Sequence, residues 1–156
     1  MSEPEKANLK VVARLRDGKL VKGYLAGALA NFEDLLQGRP SAVPDLIDLQ
    51  PVESNEGISV PLDSLKALFF VRSFDGEKEY RELKFFDKAP PVRGLWVRVQ
   101  FCDDEWLEGV IENSMRYLVD PGFFMKPPDP QSNNEFIYVI KSSLINFRIL
   151  AVSPYY

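Results

Sequence analysis

Five basic side chains, Lys10, Arg14, Arg16, Lys19 and Lys22, share one short stretch with a single acid, Asp17. Cations this close together can neutralise phosphate oxygens, which makes the stretch a candidate contact for phosphate, as in nucleic acid or a nucleotide, or for a partner. The same residues suit the solvated face of an amphipathic strand pair, where edge charges oppose aggregation. A net charge of −4 and a pI near 5.0 do not favour a general phosphate-backbone binder, although a local basic patch is compatible with both. Trp96 is the other side chain that stands out. It takes the outward phase of its strand, and so it is a candidate contact with the other half of the chain, the linker or a partner.

Other chemistries find less support. The chain contains no histidine, which removes the commonest general base, the Ser/His and Cys/His pairs and most zinc sites. Asp103, Asp104 and Glu105 adjoin because they form a turn, whereas a catalytic pair needs carboxylates converging in a cleft. Cys102 is the single cysteine; it allows no intramolecular disulfide, and as a nucleophile it would need an activating base or cation. Asp129, Ser132, Asn133, Asn134 and Glu135 offer oxygens for calcium, but their order fits no ligand loop and no glycine turn lies among them. With Pro127, Pro128 and Pro130 before them, they read as a stiff connector between strands. No catalytic, cofactor-binding or metal-binding residue is assigned, no cofactor is expected, and the protein reads as not an enzyme.

The elements that position these residues follow from an internal repeat. LKVVARLRDGKLVKGYL (9–25) lies without gaps over LWVRVQFCDDEWLEGVI (95–111), matching Leu9 with Leu95, Val11 with Val97, Asp17 with Asp103 and Gly23 with Gly109. SNEGISVPLDSLKALFFV (54–71) lies over NNEFIYVIKSSLINFRIL (133–150) in the same order. Within each half the period is two: Val11, Ala13 and Leu15 alternate with Val12, Arg14 and Arg16, and Val97, Val99 and Phe101 with Arg98, Gln100 and Cys102. Asp17-Gly18 predicts a type I′ hairpin with two positive φ angles, and Asp103-Asp104 a weaker version of it. Gly23 and Gly109 predict a sharp bend or a bulge. Short strands follow at 46–49 and 123–125, then pairs at 58–60 with 66–71 and 136–140 with 145–150, each interrupted by a tight polar turn.

Two segments stand outside the repeat. In 26–44, Leu29, Phe32, Leu35 and Leu36 are spaced for a short helix, with no counterpart expected in the second half. Residues 74–91 are charged and read as a linker. The expected architecture is mainly β: two tandem small β-barrels, Sm-like or SH3-like, with a short inserted helix. Its expected parts are a tail at 1–8, a first barrel at 9–73, the linker at 74–91, a second barrel at 92–152 and a tail at 153–156.

Three stretches, Val11 to Gly23, Val60 to Val71 and Gly122 to Glu135, resemble a family of uncharacterised bacterial domains that often sits beside signalling domains. That resemblance implies no established activity. The Val11–Gly23 stretch is also similar to the first strands of Sm-like RNA-binding barrels, although AGALANFED and ENSMRYLVD stand where those barrels carry the Asp and Asn of their base-contacting loop. The expected function is a non-enzymatic interaction or regulatory module; the alternative is an Sm-like nucleic-acid binder using the basic N-terminal hairpin. The expected partner is another protein, with nucleic acid as the second reading, no membrane, and self-association into a homo-oligomer left open. The start MSEPEKANLK has no apolar signal region and no apolar run approaches the roughly 18 residues of a membrane span, so a cytoplasmic location is expected.

Overall fold

A computed structural model describes residues 9–26, 29–37, 41–74, 94–112, 114, 116–129 and 132–152. The chain is mainly β, in two antiparallel sheets. Its elements are β1 (Lys10–Leu15), β2 (Leu20–Leu25), α1 (Leu29–Leu36), β3 (Leu46–Pro51), β4 (Ile58–Pro61) and β5 (Leu65–Val71), then β6 (Leu95–Phe101), β7 (Trp106–Ile111), α2 (Arg116–Val119), β8 (Gly122–Met125), β9 (Asn134–Ile140) and β10 (Leu144–Val152). A 3-10 turn, Leu62–Ser64 or Lys141–Ser143, precedes the last strand of each run. The second run has a helical turn, α2, where none was expected. The expected tails and nearly all of the expected linker lie outside the described residues.

The ladders of the two runs stay in step. Val11 faces Phe70 as Val97 faces Ile149, Lys10 faces Tyr24 as Trp96 faces Val110, and Ile47 faces Val60 as Phe123 faces Val139. One ladder differs. β2 pairs with β3 through Gly23, Tyr24 and Leu25, whereas β7 meets the end of β8 through the single bridge of Val110 with Lys126. The strands therefore form a seven-stranded sheet, β4-β3-β2-β1-β5-β9-β8, and a three-stranded one, β10-β6-β7, and neither closes on itself. The larger sheet crosses the expected boundary between halves, because β5 pairs with β9.

That pairing explains the composition of β5, LKALFFV, which is buried along its whole length. Leu65, Leu68 and Phe70 join one core with Val11, Phe32, Ile47 and Tyr138, while Ala67, Phe69 and Val71 join a second with Val97, Phe101, Met125 and Val139. A strand with apolar cores on both sides has no polar phase, so the alternation seen in β6 disappears. β9 divides the same way, with Tyr138 and Ile140 in the first core and Ile137 and Val139 in the second. Phe32 on α1 caps the first core, with ring contacts to Phe70, Phe124 and Tyr138.

The hairpin turns depart from type I′. The amide of Leu15 donates to Lys19 and that of Gly18 to Leu15, and in the second run Phe101 donates to Glu105 and Asp104 to Phe101. Each is a three-residue loop with one left-handed residue, Gly18 at φ 93° or Asp104 at φ 71°, rather than two. Glycine takes this conformation freely and aspartate does not, so Asp104→Gly is expected to stabilise the fold by about 1 kcal/mol. A thermal melt checks this as a rise of about 2–4 °C. Gly23 and Gly109 mark no bulge, since the β1–β2 and β6–β7 registers run straight through them. They allow close approach instead: a Cβ on Gly23 would lie 2.5 Å from the carbonyl oxygen of Gln50 on β3.

Candidate interaction surfaces

The five basic residues all remain exposed. The β1–β2 register puts Lys10, Arg14 and Lys22 on one face, while Arg16 and Lys19 flank the hairpin turn. Lys10 Nζ donates to the Arg72 carbonyl at 3.4 Å and Lys22 Nζ to that of Phe74 at 3.0 Å, with Tyr24 edge-on to Phe74. These contacts fasten the segment leaving β5. Arg14 lies over the Phe69 ring, 5.1 Å from its centre, Arg16 donates to the Asp63 carbonyl, and Lys19 stands 4.0 Å from Asp17 in open solvent. The arrangement braces the hairpin against β5 and its flanking turns.

Trp96 is half-buried, and its indole N–H donates to Glu108 Oε1 at 2.8 Å. Arg98 donates to the other oxygen of the same carboxylate through Nε at 2.9 Å and a terminal nitrogen at 2.6 Å. Glu108 is only 1 % exposed. The three sit together because Arg98 is directly opposite Glu108 and Trp96 opposite the next outward residue, Val110. A buried carboxylate accepting three charge-assisted or aromatic N–H bonds is a rigid anchor.

A second ionic cluster joins the two runs. Lys66, the one charge in LKALFFV, is 5 % exposed; its ammonium donates to Asp103 at 2.7 Å and Glu105 at 2.6 Å and lies over the Phe101 ring. The hydrogen bond from Lys66 holds the Asp103 carboxyl below its ordinary value; partial desolvation opposes this, and the Glu105 amide adds to it. Asp103 and Glu105, which in sequence look like a solvated turn, are thus the counter-ions of a lysine from the other run. Cys102 beside them is exposed.

The asparagine-rich connector is a clasp. Asn133 Oδ1 accepts from the Ser73 amide at 3.0 Å, its Nδ2 donates to the Ser73 carbonyl at 2.7 Å, and its own carbonyl accepts from the Arg72 amide. The side chain stands in for one more residue of β-ladder just beyond the β5–β9 pairing. Ser132 Oγ accepts from the Asn134 amide at 2.9 Å, and Ser54 Oγ accepts from the Glu56 amide at 3.1 Å in the first run, a similar local turn before the strand. Among the described residues no group of three or more His, Cys, Asp or Glu side chains is placed to hold a metal ion.

One exposed apolar feature escapes sequence reading. Among the described residues β10 pairs on one side only, with β6, and Ile145, Ile149, Leu150 and Val152 remain exposed along it. An apolar recess of about 390 Å³ lined by Phe123, Leu144, Ile145, Phe147 and the stem of Lys141 runs beside its first residues. Burial there pushes the Lys141 ammonium below its ordinary pKa, against the pull of Asp120. A separate cleft of about 220 Å³ lies between Leu35 and Leu36 of α1 and Val110, Phe124 and Lys126. No described helix is long and apolar enough to cross a membrane.

A family model described as "Family of unknown function (DUF6982)" matches residues 7–151, so the chain belongs to that family. No curated protein and no solved structure matches it.

Proposed function

We propose that this member of a family of unknown function is a non-enzymatic interaction module made of two repeated, bent β units, Sm-like or SH3-like in outline, working in the bacterial cytoplasm. The in-step ladders of the two runs support the two-unit reading. The observation that carries the function is β10: a nine-residue strand, paired on one side among the described residues, with four exposed aliphatic side chains. Natural sheets blunt such edges with charges, prolines or covering segments, and an edge left apolar offers main-chain hydrogen bonds to an added strand.

Affinity capture from native cytosol, with and without nuclease, tests this reading. Protein bound by wild type in both conditions, and lost with Ile149→Glu, is the expected result. The basic hairpin gives the competing reading, nucleic-acid binding. Retention on nucleic acid that falls steeply with salt and disappears in Arg14→Ala/Arg16→Ala would overturn the adaptor reading.

A further inference from the structure

We propose that the chain associates head to tail with further copies of itself, β10 of one copy adding to β4 of the next. This rests on the reading of β10 as the contact surface and names its occupant. Among the described residues, through the bridge between β7 and β8, the ten strands form one ribbon whose two outer edges are β4 and β10. Inside the molecule, the last strand of the first run, β5, already pairs with the fourth strand of the second, β9. β10 is the counterpart of β5 and β4 that of β9, so the two open edges are the unused halves of a joint the fold has already built once.

The burial contrast follows this logic. Phe70 and Val71 on β5 are 4 % and 7 % exposed, while their counterparts Ile149 and Leu150 are 49 % and 38 % exposed. On the other edge Ile137 is 3 % exposed and Ile58 is 38 %. With the first residues of the two 3-10 turns, Leu62 and Lys141, taken as equivalent, the internal register carries over directly. Ala67 opposite Val139 becomes Asn146 opposite Val60, and Phe69 opposite Ile137 becomes Arg148 opposite Ile58. Charge agrees as well: residues 41–64 hold Asp45, Asp48, Glu53, Glu56 and Asp63 with no base, whereas 141–152 hold Lys141 and Arg148 with no acid. A second copy brings the complementary edge, in register and with the opposite charge. Such a contact is heterologous, so it builds a closed ring or an open filament rather than a two-fold dimer.

Light scattering on the purified full chain across a concentration series tests this. Wild type is expected to exceed the 17.8 kDa monomer mass and to grow with concentration. Ile58→Lys places a cation against Arg148 across the joint, and Arg148→Glu places an acid against an acidic edge, so each alone is expected to give monomer. Both positions lie at the surface, so unchanged thermal unfolding of each variant shows that the fold is kept. The double variant Ile58→Lys/Arg148→Glu sets opposite charges face to face and is expected to recover association. A monomeric wild type at every concentration overturns the proposal, as do single variants that assemble like wild type or a double variant that stays monomeric. A monomeric wild type would still leave capture of a different protein by β10 to be decided by the Ile149→Glu comparison.

Discussion

Glu108→Ala is expected to cost about 3 kcal/mol, because it removes an interior carboxylate that accepts from Trp96 and twice from Arg98. Glu108→Gln keeps the shape and one carbonyl acceptor but loses the charge, and is expected to cost about 1–2 kcal/mol. Urea denaturation followed by tryptophan fluorescence reads both, since Trp96 reports on the contact directly. A cost below about 0.5 kcal/mol for the alanine variant would mean that the anchor is dispensable and that its burial serves something other than stability.

Lys66→Ala is expected to be comparably severe, at about 2–3 kcal/mol. The buried ammonium loses both counter-ions and its seat over Phe101, and Asp103 and Glu105 are left side by side at the junction of the two runs. The figure is held down because Asp103 and Glu105 are 48 % and 35 % exposed, so water screens part of each contact. Lys66→Met fills the same volume without charge and is expected within about 1 kcal/mol of wild type, which separates packing from pairing. The pH dependence supplies a second readout. A carboxyl whose folded pKa is depressed contributes stability that is complete above its unfolded value, near 3.8 for Asp103, and lost as pH falls through the lower folded value. Wild type should therefore lose stability below about pH 4, and Lys66→Met should show a shallower acid limb over the same range.

Much of this architecture is legible in the sequence, and the reasons are local. The period of two in Val11–Leu15 and Val97–Phe101, with a turn at Asp17 and at Asp103, determines which residues oppose one another in each hairpin. From that register Arg98 opposite Glu108 could have been read directly. Its importance stays hidden because a charge in the outward phase looks solvated until burial is known. LKALFFV announces a strand covered on both faces, yet which strand covers it depends on β9, more than sixty residues further along, and no short-range pattern encodes that choice. The same distance conceals the role of Asp103 and Glu105, whose cation comes from β5. The turn type is hidden for a different reason: Asp-Gly suits both a type I′ turn and a three-residue loop with a single left-handed residue, and the two forms share a sequence signature.

The position of β5 between two cores also has a cost that arises during synthesis. LKALFFV leaves the ribosome well before β9, and at ordinary elongation rates the delay is on the order of several seconds. Throughout that interval β5 can pair with β1 and cover the face that joins the first core, while Ala67, Phe69 and Val71 stay bare. A seven-residue β-forming segment with one charge is what intermolecular strand pairing selects. The nascent first run is therefore the stage at which this chain bares most of the apolar face of β5, which is covered only once β9 and the second core are made.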